Sequence, residues 1–120
     1  MSTVFISNMS EHDYSSATQF GALRFVTSGN YPIYKTSRLM EEIAETLAES
    51  TQEDHLLLSG SAVIAALCMT VWLTYHSRIN ILLYDHANNV YEERKLDKSS
   101  IRVLVERIID RREGRVPERI

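Results

Sequence analysis

Three short apolar runs along this chain stop abruptly at polar residues. Val4-Phe5-Ile6 stops at Ser7-Asn8, Leu56-Leu57-Leu58 at Ser59-Gly60-Ser61, and Ile81-Leu82-Leu83 at Tyr84-Asp85-His86. Short runs rich in Val, Ile, Leu and Phe, closed by turn residues, read as strands covered on both faces. The pattern predicts strands over 3–7, 23–27, 54–59 and 79–85, the second closed by Ser28-Gly29-Asn30. A fifth, Val90 to Leu96, follows Ala87-Asn88-Asn89, which reads as a tight hairpin turn because Asn tolerates positive φ. Its consecutive charges Glu92, Glu93, Arg94 and Lys95 mark a sheet edge and discourage edge-to-edge pairing.

Between the strands the apolar period lengthens to that of a helix. Leu39, Met40, Ile43, Leu47 and Ala48 share one stripe, opposite Glu41, Glu42, Glu45 and Glu49, with Thr36 or Ser37 as the expected cap. From Ser61 to His76 the chain is apolar nearly all round, which predicts the most buried helix. A last helix, capped by Asp97 or Ser99 and ended by Gly114 and Pro117, carries Ile101, Leu104, Val105, Ile108 and Ile109. These fall at i, i+3, i+4, i+7 and i+8, the cleanest stripe in the chain, expected to face the sheet or a second subunit. Met9 to Gly21 holds no helical stripe and reads as a loop, and Pro32 makes Tyr31 to Lys35 extended. The order β-β-α-β-α-β-β-α predicts a small α/β, Rossmann-like three-layer domain with right-handed crossovers. Its mixed sheet has about five strands, an antiparallel edge hairpin and three helices. Residues 1–113 are expected to form the domain and 114–120 a tail.

The 120 residues suffice for one core, and the net charge of -3 argues against a general nucleic-acid binder. The stretch from Arg111 to Ile120 holds four arginines against two glutamates and reads as a solvated end. The one cysteine, Cys68, sits among apolar residues and reads as a buried, reduced thiol in a cytoplasmic compartment. No basic segment followed by an apolar core stands at the N-terminus. The longest apolar run, Ala62 to Leu73, is too short to span a bilayer, so no membrane partner is expected.

Parallel strands place their polar ends on one edge, where open α/β sheets bind ligands. In Ser59-Gly60-Ser61 the glycine permits a sharp turn and close approach, and Ser61 caps a helix whose free N–H groups attract anions. The plainer reading is a turn and a cap alone. His12-Asp13-Tyr14, in the long loop, sets a carboxylate beside an imidazole and makes His12 the candidate acid/base. The plainer reading is that Asp13 caps a turn there and Tyr14 packs its ring. Asp85 either accepts from a ribose hydroxyl or belongs to the hairpin turn. Ser7 and Asn8 complete the candidate set of Ser7, Asn8, His12, Asp13, Tyr14, Ser59, Gly60, Ser61 and Asp85. His12, Asp13, Asp85 and His86 lack metal-ligand spacing, so no metal is expected. G-x-G-x-x-G, the P-loop and G-x-S-x-G are all absent.

This outline, a small sheet with a glycine turn between a core strand and a buried helix, is similar to Rossmann-like nucleotide-sensing modules. The resemblance implies a sensor or sequestering protein with a nucleotide or small anion at the strand ends, while any cofactor stays open. Two other classes fit the same residues. One is a small phosphodiesterase or nuclease-like enzyme with His12 as acid/base. The other is a non-catalytic phage or mobile-element accessory or structural protein, acting through protein contacts of its last helix and charged edge strand. A homodimer or higher homo-oligomer is expected, because small domains of this kind complete their cores by association.

Overall fold

The apolar runs line up as one sheet because each can bury both of its faces only between neighbours. A computed structural model describes residues 2–29, 31 and 33–114. It contains β1 (Thr3–Met9), a 3-10 helix (Ser15–Phe20), β2 (Ala22–Ser28), α1 (Thr36–Leu47), β3 (His55–Leu57), α2 (Ala62–Tyr75), β4 (Arg78–Asp85), β5 (Val90–Asp97) and α3 (Lys98–Arg112). The strand order is β2-β1-β3-β4-β5. The first four strands are parallel and β5 returns antiparallel through the expected hairpin, with Asn89 at φ 56°. The expected α/β class and mixed five-stranded sheet are therefore present.

Local expectations differ in four places. β1 continues past Ser7, because Asn8 and Met9 still pair with Thr27 and Ser28. The segment read as a loop contains the 3-10 helix. Its inward residues Tyr14, Ala17 and Phe20 recur every three positions, a period that a search for helical stripes passes over. α1 starts from Lys35 with no side-chain cap, because the Leu39 N–H already reaches the Lys35 carbonyl and places Thr36 and Ser37 inside the first turn. Ile33 and Tyr34 form a turn rather than an extended segment. Asn30, Pro32 and the tail beyond Gly114, with its expected stop at Pro117, lie outside the described residues.

The two sheet faces are covered unequally. On one, α1 brings Leu39, Ile43 and Leu47, and α2 brings Ile64, Cys68, Val71 and Trp72, onto Phe5, Leu56, Ile79 and Ile81. Trp72 is fully buried, meets Phe5 edge-on at 5.9 Å, and donates its indole N–H to the Arg78 carbonyl at 3.2 Å. On the other face Val4, Ile6, Leu57, Leu82 and Tyr91 are covered by the 3-10 helix and by Tyr14.

α3 packs on neither face. Its start is held by Asp97, whose carboxylate accepts from the Ser99 N–H at 2.9 Å, and by Lys98, whose Nζ donates to the Leu73 carbonyl at 2.7 Å. Beyond that start, no residue of α3 is buried. The radius of gyration, 16.7 Å, exceeds the about 14 Å of a compact domain this long, as an outlying helix requires. Among the described residues no helix is long and apolar enough to cross a membrane.

Candidate functional site

A strand order that turns back at β1 has its topological switch point between β1 and β3, where open sheets leave a crevice for ligands. Here the chain's own side chains occupy that crevice. Ser7 Oγ donates to the Ser59 carbonyl and accepts from the Ser59 N–H, both at 2.9 Å. Asn8 Nδ2 donates to Thr27 Oγ1 at 2.9 Å and to the Gly29 carbonyl at 3.2 Å, while its Oδ1 accepts from the Ser61 N–H at 3.3 Å. Thr27 Oγ1 in turn donates to the Ser7 carbonyl at 2.8 Å. Ser7, Asn8 and Thr27 are buried.

Gly60 has a role in this lock. It sits at φ +72°, and a Cβ added there would fall on the Asn8 amide. The glycine thus makes room for the chain's own side chain. Ser61 caps α2 by accepting from the Ile64 N–H at 3.4 Å. One N–H at the start of α2 therefore meets Asn8 and another meets Ser61 Oγ, in the place where an approaching anion would compete for them.

Next to the lock, over the ends of β3 and β4, lies a cavity of about 590 Å³. His12, Asp13, Tyr14, Ser59 and Gly60 line it; Ser7, Asn8, Ser61 and Asp85 do not. Tyr14 is its best-fixed wall. Its hydroxyl lies 2.7 Å from Ser59 Oγ and 2.9 Å from Ser10 Oγ, and accepts from the Ser10 N–H at 3.0 Å. Its ring meets Phe25 edge-on at 5.6 Å.

The hairpin supplies the opposite wall, through Tyr84, His86 and Tyr91. Tyr84 packs on Tyr91 at 5.0 Å and edge-on to His86 at 4.7 Å. Burial, and then the neighbouring Tyr14, push the Tyr91 hydroxyl above the ordinary phenol range, so it stays a neutral donor. The sequence reading left Tyr84 and Tyr91 out of the candidate set. Their signal was their equal distance from the Ala87-Asn88 centre of the hairpin, which makes them cross-strand partners on one face.

The two candidate carboxylates serve turns. Asp13 accepts from the Ser15 N–H at 2.9 Å, which holds its carboxyl below the usual range. The Asp85 carboxylate takes the Asn88 side-chain amide at 2.8 Å and the Ala87 N–H at 3.0 Å, and is likewise held low, the Asn88 amide first. His12 is exposed at the cavity mouth, its ring 6.2 Å from that of Tyr14. Among the described residues neither Lys nor Arg lines the cavity; its walls are aromatic faces and hydroxyls, with the Asp13 carboxylate and the His12 and His86 imidazoles. Those groups suit a flat, uncharged ring better than a bare phosphate. Among the described residues no group of three His, Cys, Asp or Glu could hold a metal ion.

Residues 2–98 match a family model described as Phage Pam3 gp32-like protein. The match ends at the first residue of α3 and includes every residue that lines the cavity. No curated protein and no solved structure matches the chain.

Proposed function

We propose that this chain, which belongs to the phage Pam3 gp32-like protein family, is a phage-associated protein that works by docking onto another protein through α3, without catalysis. One observation carries this reading. α3 is a 15-residue helix with an apolar stripe and no buried residue. Contiguous exposed apolar patches of this kind often mark contact sites. The folded-in Asn8 amide at the start of α2 supports the same reading, because it takes an N–H group an anionic ligand would need. The test is a phage carrying Leu104→Asp with Ile108→Asp. The altered protein should fold normally by circular dichroism while phage yield falls at least tenfold. Unchanged yield would sink the reading.

A second reading keeps the cavity as a small-molecule site and draws support from its aromatic walls, which lie wholly within the part matched to the family. A panel of nucleosides, nucleotides and sugar phosphates tests it by thermal stabilisation. A ligand at 100 times its dissociation constant adds about 2.7 kcal/mol. That gain should disappear in Tyr84→Ala if the hairpin wall holds the ligand.

A further inference from the structure

We infer that the surface meeting α3 is the same helix of a second copy, running antiparallel to it; this rests on the contact reading above and names its partner. The stripe has a centre and two flanks. At about 100° per residue, Ile101, Leu104, Val105 and Ile108 share one face. Ile109 and Arg102 border it on one side, with Glu106 next beyond Arg102, and Ser100, Arg107 and Arg111 border it on the other.

Each aliphatic side chain of the stripe is between two-fifths and about half exposed. With Ile109 at its edge, the patch falls within the roughly 300–600 Å² found for the largest patch on a monomer. That is short of the about 800 Å² each partner buries in a standard stable complex, so the dimer is a weak one.

The charges decide the direction. In an antiparallel pair each flank meets the same flank of the other helix. With Ile101 opposite the second copy's Ile108, and Leu104 opposite its Val105, Arg102 of each copy meets Glu106 of the other. Two reciprocal ion pairs then border the apolar seam, and Arg107 faces the uncharged Ser100. A parallel pair would bring unlike flanks together and place Arg102 beside the second copy's Arg107. Such an isologous contact closes on itself as a two-fold dimer.

Sedimentation over a wide concentration range is the first measurement, with a monomer–dimer equilibrium expected at micromolar concentration. Leu104→Asp should weaken it at least tenfold while leaving the circular dichroism of the sheet domain intact. Arg102→Glu and Glu106→Arg should each weaken it several-fold, and the double exchange should restore it, because the swapped flanks again meet opposite charge. Oxidative cross-linking fixes the direction. Ile101→Cys mixed with Ile108→Cys should link, and neither should link with itself.

A chain that stays monomeric at every concentration overturns the proposal, as does self-linking of Ile101→Cys. A monomer whose Leu104→Asp with Ile108→Asp phage still fails keeps the contact reading and assigns the stripe to a different protein. A monomer that binds anionic vesicles through the stripe assigns it to a lipid surface instead. A monomer with unchanged phage yield sinks both readings.

Discussion

α2 and α3 are the two helices whose apolar residues stand out most in the sequence, and they end in opposite environments. α2 is apolar nearly all round, yet only Ile64, Cys68, Val71 and Trp72 are buried, one face pressed to the sheet. α3 has the cleaner amphipathic spacing and buries nothing. Periodicity identifies the face of a helix that is better covered; it says nothing about which surface covers it. The cover for α2 is reached by a short connection from β3, one strand away from β1 and one from β4. α3 follows the edge strand; Asp97 and Lys98 hold its first residues, and none of its residues is buried.

The largest test of this difference is a truncation in each helix. Trp72→Ala should cost about 3–5 kcal/mol of unfolding free energy, from lost aromatic packing and the cavity left behind. Leu104→Ala, measured by denaturant at protein concentrations low enough to hold a monomer, should change stability by less than about 0.5 kcal/mol. Equal losses at the two positions would mean that α3 packs within its own chain.

How α2 begins gives the next effect. Gly60→Ala forces a side chain into a positive-φ position that already faces Asn8, and strain of about 1–3 kcal/mol is expected. The same substitution should cost less in an Asn8→Ala background, where the amide is removed and only the contact with the residue-8 Cβ at 2.9 Å remains. Additive losses in this double-mutant cycle would show that the glycine serves the turn alone. Ser61→Ala removes the hydroxyl that caps the Ile64 N–H and should cost about 0.5–2 kcal/mol, read as a shift in denaturant midpoint.

Cys68 reports on α2 by pH. Burial pushes its thiol from 9.0 up to about 12. The native state therefore keeps a proton that the unfolded chain releases, so stability falls as pH rises through this window and is unaffected below it. The alkaline limb should be steeper than in Cys68→Ala, and a thiol reagent at pH 8 should react only as fast as the protein unfolds. Rapid labelling of the native protein would break the picture of a closed α2 face. The smallest expected change is in α3: Asp97→Asn keeps a capping side chain and should leave the denaturant midpoint almost unmoved, because no buried side chain depends on the helix it caps.

The candidate site was half legible. His12, Asp13, Tyr14, Ser59 and Gly60 were gathered from three separate segments and do border one cavity. They could be gathered because polar residues at the ends of apolar strands share an edge whenever the strands are parallel. Ser7 and Asn8 looked the same in the sequence, yet they face inward and satisfy backbone groups of the turn after β2 and of the β3–α2 turn. Nothing local separates a polar residue aimed at solvent from one aimed at a neighbouring strand. Asp85 and Asp13 were legible in both of their readings, and the turn reading is the one their hydrogen bonds satisfy.

The sequence by itself determined the strands, the class of sheet, the hairpin, the cap at Ser61, a cap at Asp97 or Ser99, and the stripes of the first and last helices. Each of these follows from interactions within a few residues, through apolar period, side-chain hydrogen bonds and allowed φ. Only the tertiary structure decided the order β2-β1-β3-β4-β5, the 3-10 helix as cover for the second face, the Asn8 lock at the switch point and the solitary position of α3. These depend on which distant surfaces meet. A chain that is apolar in many places offers several such meetings, and the one adopted is set by packing and by the pairing of buried polar groups across more than 50 positions, as Ser7 with Ser59 and Asn8 with Ser61 illustrate.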